Sequence, residues 1–247
     1  MAQQKGLFKI IGTLDDVNFY IIKGVNYARK AGGGFNGDAI RTKASMVRVR
    51  ENASEFGHSS TVKKQFRLAL LPFLHGIKGR PFHSRMMQLF LGLKALDLVS
   101  ERGKRRVIEG LKTAKGKRLL KQFEFIPNHK LLNNIFYKAS FDWNSQILTV
   151  TNFNPRLFKA PKSATHIGIT FGVLDFNFES LKSSLEISPT FFLDIKADAT
   201  SFNLILENVL MPTQMGIAVL GVCYYEVINQ EVYELYDSIG ARILDCM

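Results

Sequence analysis

The spacing of apolar residues changes twice along this chain, and those changes constrain its fold more than any motif. In "LFKIIGTLDDVNFYIIKGVNYARKAGGG" apolar and polar residues alternate between turn signals at Gly12, Asp15-Asp16 and Lys23-Gly24. That is the pattern of an antiparallel meander of two or three strands. From Thr42 to about Gln122 the period becomes helical. Met46, Val49, Ala53 and Phe56 mark one amphipathic segment, and Val62, Phe66, Ala69 and Phe73 a second, which Pro72 should bend or end. A third runs from about Ser84 to Val99 with Met86, Leu89, Phe90, Leu93 and Leu96 on one side.

After Pro127 the runs become short, β-branched and aromatic again: "SQILTVTNF", "ATHIGITFGVLDFNF", "TFFLDIKAD", "SFNLILENV", "GIAVLGVCYYEVI" and "EVYELYDSI". Turn residues separate them, and Asn229-Gln230 sits where a hairpin would close between the last two. The expected class is therefore α+β, in two parts: residues 1–125, a β-meander with a basic helical bundle, and residues 126–247, an antiparallel β-sandwich. "AGGGFNGD" reads as a flexible connector, with Asp38 or Thr42 capping the helix after it.

Charge divides the chain in the same place. Residues 1–125 carry 25 Lys plus Arg against 9 Asp plus Glu, a net of +16, while residues 126–247 carry 8 against 12, a net of −4. A basic half implies an anionic partner, whether nucleic acid, a membrane surface or the acidic half of a second copy. The densest stretch is "GKRRVIEGLKTAKGKRLLKQ", residues 103–122, with eight basic side chains in twenty positions. At about 100° per residue, Val107, Ile108, Leu111 and Leu119 fall on one side of a helix. Lys115 and Arg118 intrude on that side, and Gly110 and Gly116 each weaken a helix by roughly 1 kcal/mol relative to Ala. A short or broken helix with a basic exterior is expected. Its candidate polyanion- or partner-binding residues are Arg102, Lys104, Arg105, Arg106, Lys112, Lys115, Lys117, Arg118 and Lys121. No aromatic side chain lies between residues 103 and 122 to stack on bases.

Catalytic patterns are scarce. "AGGGFNG" lacks the lysine of a phosphate loop, and neither G-x-S-x-G nor H-E-x-x-H occurs. His58, His75, His83, His129 and His166 lack metal-ligand spacing. Asp175, Asp194 and Lys196 are similar to the two-carboxylate and lysine core of restriction-type nucleases, in which the carboxylates hold Mg²⁺. They read here as charges at strand ends. Cys223 and Cys246 are too few for a disulfide framework and read as a small core residue and a tail thiol. No transmembrane segment or secretion signal is recognisable, so a cytoplasmic location is expected.

The strings "KGLFKIIGTLDDVNFYIIKGVNYARKAGG", "RVRENASEFG", "VIEGL", "LLKQFEFIPNHKL" and "APKSATHIGI", in this order, resemble a family of uncharacterised proteins common in Bacteroidota. Its members carry a G-T-x5-FY meander ending in A-R, an R-E-N-x-x-E-F-G segment and a β domain. The resemblance covers most of the chain and implies a bacterial, intracellular protein with the helical-then-β arrangement. It carries no activity and no functional residues. The expectation is a non-enzymatic structural or interaction protein without cofactor, metal or evident small-molecule substrate, forming a homo-oligomer through its basic and acidic faces. Sequence-independent nucleic-acid binding by the basic half is the alternative, and a Mg²⁺-dependent nuclease a weaker one.

Overall fold

The computed structural model describes residues 2–32 and 37–247 and divides into two compact units, Met1–Glu51 and Asn52–Met247. Residues 33–36 of the expected connector lie outside the described residues.

The first unit holds an antiparallel sheet of β1 (Ala2–Gln3), β2 (Gly12–Leu14), β3 (Val17–Ile22) and β4 (Val25–Lys30) in the order β1-β4-β3-β2. The expected meander is β2-β3-β4, and β1 pairs on its far edge through Ala2 with Ala28 and Gln3 with Tyr27. Helix α1 (Gly37–Thr42) follows. Asp38 lies inside its first turn, paired with Arg41, and the Thr42 hydroxyl donates back to the Asp38 carbonyl, so neither residue is the expected cap. Among the described residues up to Glu51, none is buried.

The helices that follow are α2 (Val47–Ala69), α3 (Leu71–Leu74), α4 (Arg80–Ala95), α5 (Val107–Leu111), α6 (Ala114–Lys121) and α7 (Lys130–Lys138). Pro72 and Pro81 occupy first-turn positions of α3 and α4, where the missing N–H costs nothing. The buried face of α2 differs from the expected one. It is Glu55, Ser59, Val62 and Phe66, while Ala53 and Phe56 face water. Two polar residues hold core positions, so counting apolar residues selects the wrong stripe in the first half of this helix.

The remaining strands are β5 (Ala139–Asp142), β6 (Ile147–Phe153), β7 (His166–Phe176), β8 (Ser183–Ile187), β9 (Phe191–Asp194), β10 (Thr200–Ile205), β11 (Met215–Ile228) and β12 (Glu231–Cys246). They form a three-stranded sheet, β10-β6-β5, and a five-stranded one, β12-β11-β7-β8 with β9 also on β7, all antiparallel. Asn229 and Gln230 both have positive φ and close the β11–β12 hairpin between Ile228 and Glu231.

Strict alternation splits the central strands between two cores. From β7 and β11, Ile169, Phe171, Val173, Ala218, Leu220 and Val222 pack with Leu148, Val150 and Phe153 of the small sheet. On the opposite face, Leu174, Phe176, Ile217 and Val219 pack with Phe66, Phe73, Met86, Phe90 and Leu111 of the helices. The five-stranded sheet is thus covered by helices on one side and by the small sheet and α7 on the other. Because helices of the 62–120 region share a core with strands from beyond residue 170, the second unit has no division at residue 125. The helices need the sheet's second face to bury their apolar stripes.

Candidate functional site

The basic stretch is built around two buried carboxylates. Glu55 on α2 accepts from Lys94 Nζ of α4 at 2.6 Å through Oε2 and from the Gly103 N–H at 2.7 Å through Oε1. Burial alone would raise its carboxyl, but the Lys94 and Gly103 hydrogen bonds and the nearby Arg105 charge hold it below the usual value. Asp97, just past the end of α4, accepts from the N–H groups of Val99 and Ser100 through Oδ1, and from Arg106 N–H at 2.8 Å through Oδ2. Here too burial works upward, yet the Ser100, Arg106 and Val99 donors outweigh it and hold the carboxyl at about 2. His58 adds a third tie: its Nε2 accepts from the Val107 N–H at 3.3 Å. Burial, and then the Arg106 cation, keep the imidazole below its ordinary value and so neutral. Residues 97–106 therefore form a closed loop whose two ends meet on one carboxylate.

The loop turns into α5, and α5 into α6, through close backbone approaches. A Cβ on Gly110 would overlap the Leu93 carbonyl oxygen, and one on Gly116 would overlap the Gly110 carbonyl oxygen. The expected broken helix is found, split after Leu111, with Thr113 capping α6 by accepting from the Gly116 N–H at 3.0 Å. The glycines that weaken each helix are the ones that let the helices pack.

The nine basic residues do not form one free surface. Lys104 pairs with Glu101 at 2.9 Å, Lys112 with Glu109 at 2.6 Å, and Lys121 with Asp245 of β12 at 2.8 Å. Arg102 Nη2 donates to Asn52 Oδ1 at 3.3 Å, and Arg106 lies beside the His58 ring. Arg105 is half-buried near Glu55. Lys117 is half-buried, and with Lys112 it borders a cavity of about 380 Å³ against Ile108, Phe178 and Met215. Lys115 and Arg118 are exposed on α6. Sequence reasoning located these cations but not Glu55, Asp97 or His58, whose positions follow from helix packing rather than from any local pattern.

The nuclease-like residues are not brought together. Asp175 lies at one end of β7, where it accepts from Thr213 and Gln214, whereas Asp194 pairs in register with His166 at the other end. Nine residues of strand at about 3.3 Å each separate them by about 30 Å. Asp194 caps its own turn through the Lys196 N–H. Cys246 is not a loose tail thiol: it lies half-buried in β12 beside the helical core.

A second cavity, of about 220 Å³, lies between α3 and the β7–β11–β12 surface, with His75, Thr170, Thr190, Cys223, Tyr225 and Glu234 on its walls. Burial pushes the Cys223 thiol up to about 12, and its sulfur is engaged by the Leu235 carbonyl and the Ser238 hydroxyl. His75 holds Nδ1 2.9 Å from the Pro72 carbonyl and Nε2 3.0 Å from Glu234 Oε1. With a backbone carbonyl at one ring nitrogen and a carboxylate at the other, this histidine latches α3 to β12. The cavity thus pairs an inert thiol with an engaged imidazole.

By fold the chain is a mixed α+β protein with an N-terminal antiparallel sheet, a helical middle and C-terminal antiparallel sheets. No protein-family model, curated protein or solved structure matches it. Among the described residues, no helix is long and apolar enough to cross a membrane.

Proposed function

We propose that this chain is a non-enzymatic structural or interaction protein that self-assembles, with the N-terminal sheet as one of its contact surfaces. The observation that carries the reading is the sheet's exposure. Its strands and loops hold Leu7, Phe8, Ile10, Ile11, Leu14, Val17, Ile21, Ile22 and Val25 in water, and no described residue of this unit is buried. A sheet of this size without a core is marginal by itself, and so many exposed apolar side chains in one small unit point to an interaction surface. Strands β1 and β2 leave two short open edges for pairing. The charge partition favours a second copy as the partner: the sheet lies in the basic half, and residues 197–241 contain no Lys or Arg. Sedimentation velocity over a range of concentration and salt tests this. Species larger than a monomer that weaken as salt rises are expected, and a pure monomer throughout sinks the proposal.

Sequence-independent nucleic-acid binding is the second reading, supported by the exposed Lys115 and Arg118 on α6. It requires affinity that falls steeply with salt. Filter binding at two salt concentrations with no retention at either removes it.

A further inference from the structure

Leu98 and Val99 are 90% and 86% exposed, adjacent, and at the start of a loop that is firmly held. Single exposed aliphatics are ordinary. Two together, displayed by a loop tied at both ends to a buried carboxylate and braced by Glu55 at Gly103, are not explained by the chain's own packing. Between Leu98 and Arg106 the loop carries Arg102, Lys104, Arg105 and Arg106 against one acid, Glu101. The Glu101–Lys104 pair is solvent-exposed and weakly coupled. Phe56, half-exposed, lies one turn along α2 from Asn52, the residue that meets Arg102.

We propose that the loop Asp97–Arg106 docks on an anionic lipid bilayer surface, with Leu98 and Val99 entering the headgroup–acyl boundary and Arg102, Lys104 and Arg106 meeting the lipid phosphates. A bilayer surface is apolar beneath and anionic above, and the loop presents aliphatics beside a net positive charge in the same order. Nucleic acid fits this loop less well, since its phosphates leave no place for two bare aliphatics and the loop lacks a ring to stack on bases. Because the loop is already ordered by Asp97, docking does not require it to fold first. The proposal is independent of self-assembly and concerns attachment to the surface, not spanning.

The test is co-sedimentation of the full chain with phosphatidylcholine vesicles, with and without phosphatidylglycerol, at low and physiological salt. The wild type should partition onto the anionic vesicles and much less onto the neutral ones. Leu98→Asp/Val99→Asp should lower that partition by about tenfold or more, and Arg102→Ala/Lys104→Ala should weaken it and reduce its salt dependence. Leu98 and Val99 are exposed, so a thermal melt of their double variant should match the wild type and separate lost docking from lost fold. A wild type that ignores anionic vesicles overturns the proposal. So does equal partition of the wild type and the Leu98→Asp/Val99→Asp variant, which would make the attraction a general property of the basic half.

Discussion

Gly110 of α5 lies against the carbonyl group of Leu93 in α4 so closely that a Cβ on it would stand 2.8 Å from the carbonyl carbon and overlap the oxygen. Helix propensity alone favours Gly110→Ala by about 1 kcal/mol. The contact decides the opposite sign: urea denaturation should show Gly110→Ala destabilised by about 3 kcal/mol, because α5 must move off α4. A neutral or stabilised variant would show that the two helices do not pack this closely.

Phe73 makes a similar demand on the sheet. Its ring covers Gly172 of β7 and Gly221 of β11, and a Cβ at those positions would come within 2.9 Å and 2.6 Å of it. Phe73→Ala should cost about 3–5 kcal/mol through the cavity it leaves. Gly221→Ala should be strongly destabilising in the wild type and much less so in the Phe73→Ala background. Additive losses in that double-mutant cycle would contradict the contact.

The Asp97 carboxyl, held at about 2 against an ordinary 3.8, gives the loop an acid limit. A carboxylate whose folded value lies below its unfolded one stabilises above the unfolded value, and that contribution is lost as pH falls from about 4 towards 2. Asp97→Ala should lower stability at pH 7 by about 2–4 kcal/mol, since three backbone N–H groups lose an ionised acceptor. It should also flatten the acid side of the stability profile. Melting temperatures from pH 7 to pH 2.5 for both proteins read both effects.

Glu55 and Lys94 form the other buried tie, with side chains 5% and 15% exposed. Lys94→Met leaves a buried carboxylate with one donor fewer and should cost about 3 kcal/mol or more. Adding Glu55→Gln to that variant should recover much of the loss, because the uncharged amide oxygen can still accept from Gly103. Equal stability of the single and double variants, measured by chemical denaturation, would show that the charge is not buried as described.

Helix α4 and the β11–β12 hairpin were legible because their signals are local. Met86, Phe90 and Leu93 recur at helical spacing, and Asn229-Gln230 accepts the positive φ that a tight hairpin requires. Helix α7 had a legible signal too, in the spacing of Leu131, Leu132 and Ile135. It lay in a region of strand-like runs, however, and its cap is His129 rather than a common capping residue. Strands β5 and β8 are four and five residues long and exist by pairing with β6 and β7, which no short window reveals.

By itself the sequence determined the order of structural classes, the basic and acidic halves and the break in the 103–122 helix, because periodicity, net charge and glycine placement are properties of neighbouring residues. Tertiary structure alone decided that Glu55 and Ser59 belong to the buried face of α2, that the cations of residues 102–121 are largely engaged within the chain, and that Asp175 of β7 and Asp194 of β9 stand at opposite ends of the β7 strand. It also decided that Leu98 and Val99 are held out into solvent. Each of those outcomes depends on a partner distant in sequence, and the free energy of a buried carboxylate or a displayed aliphatic is set by what packs around it.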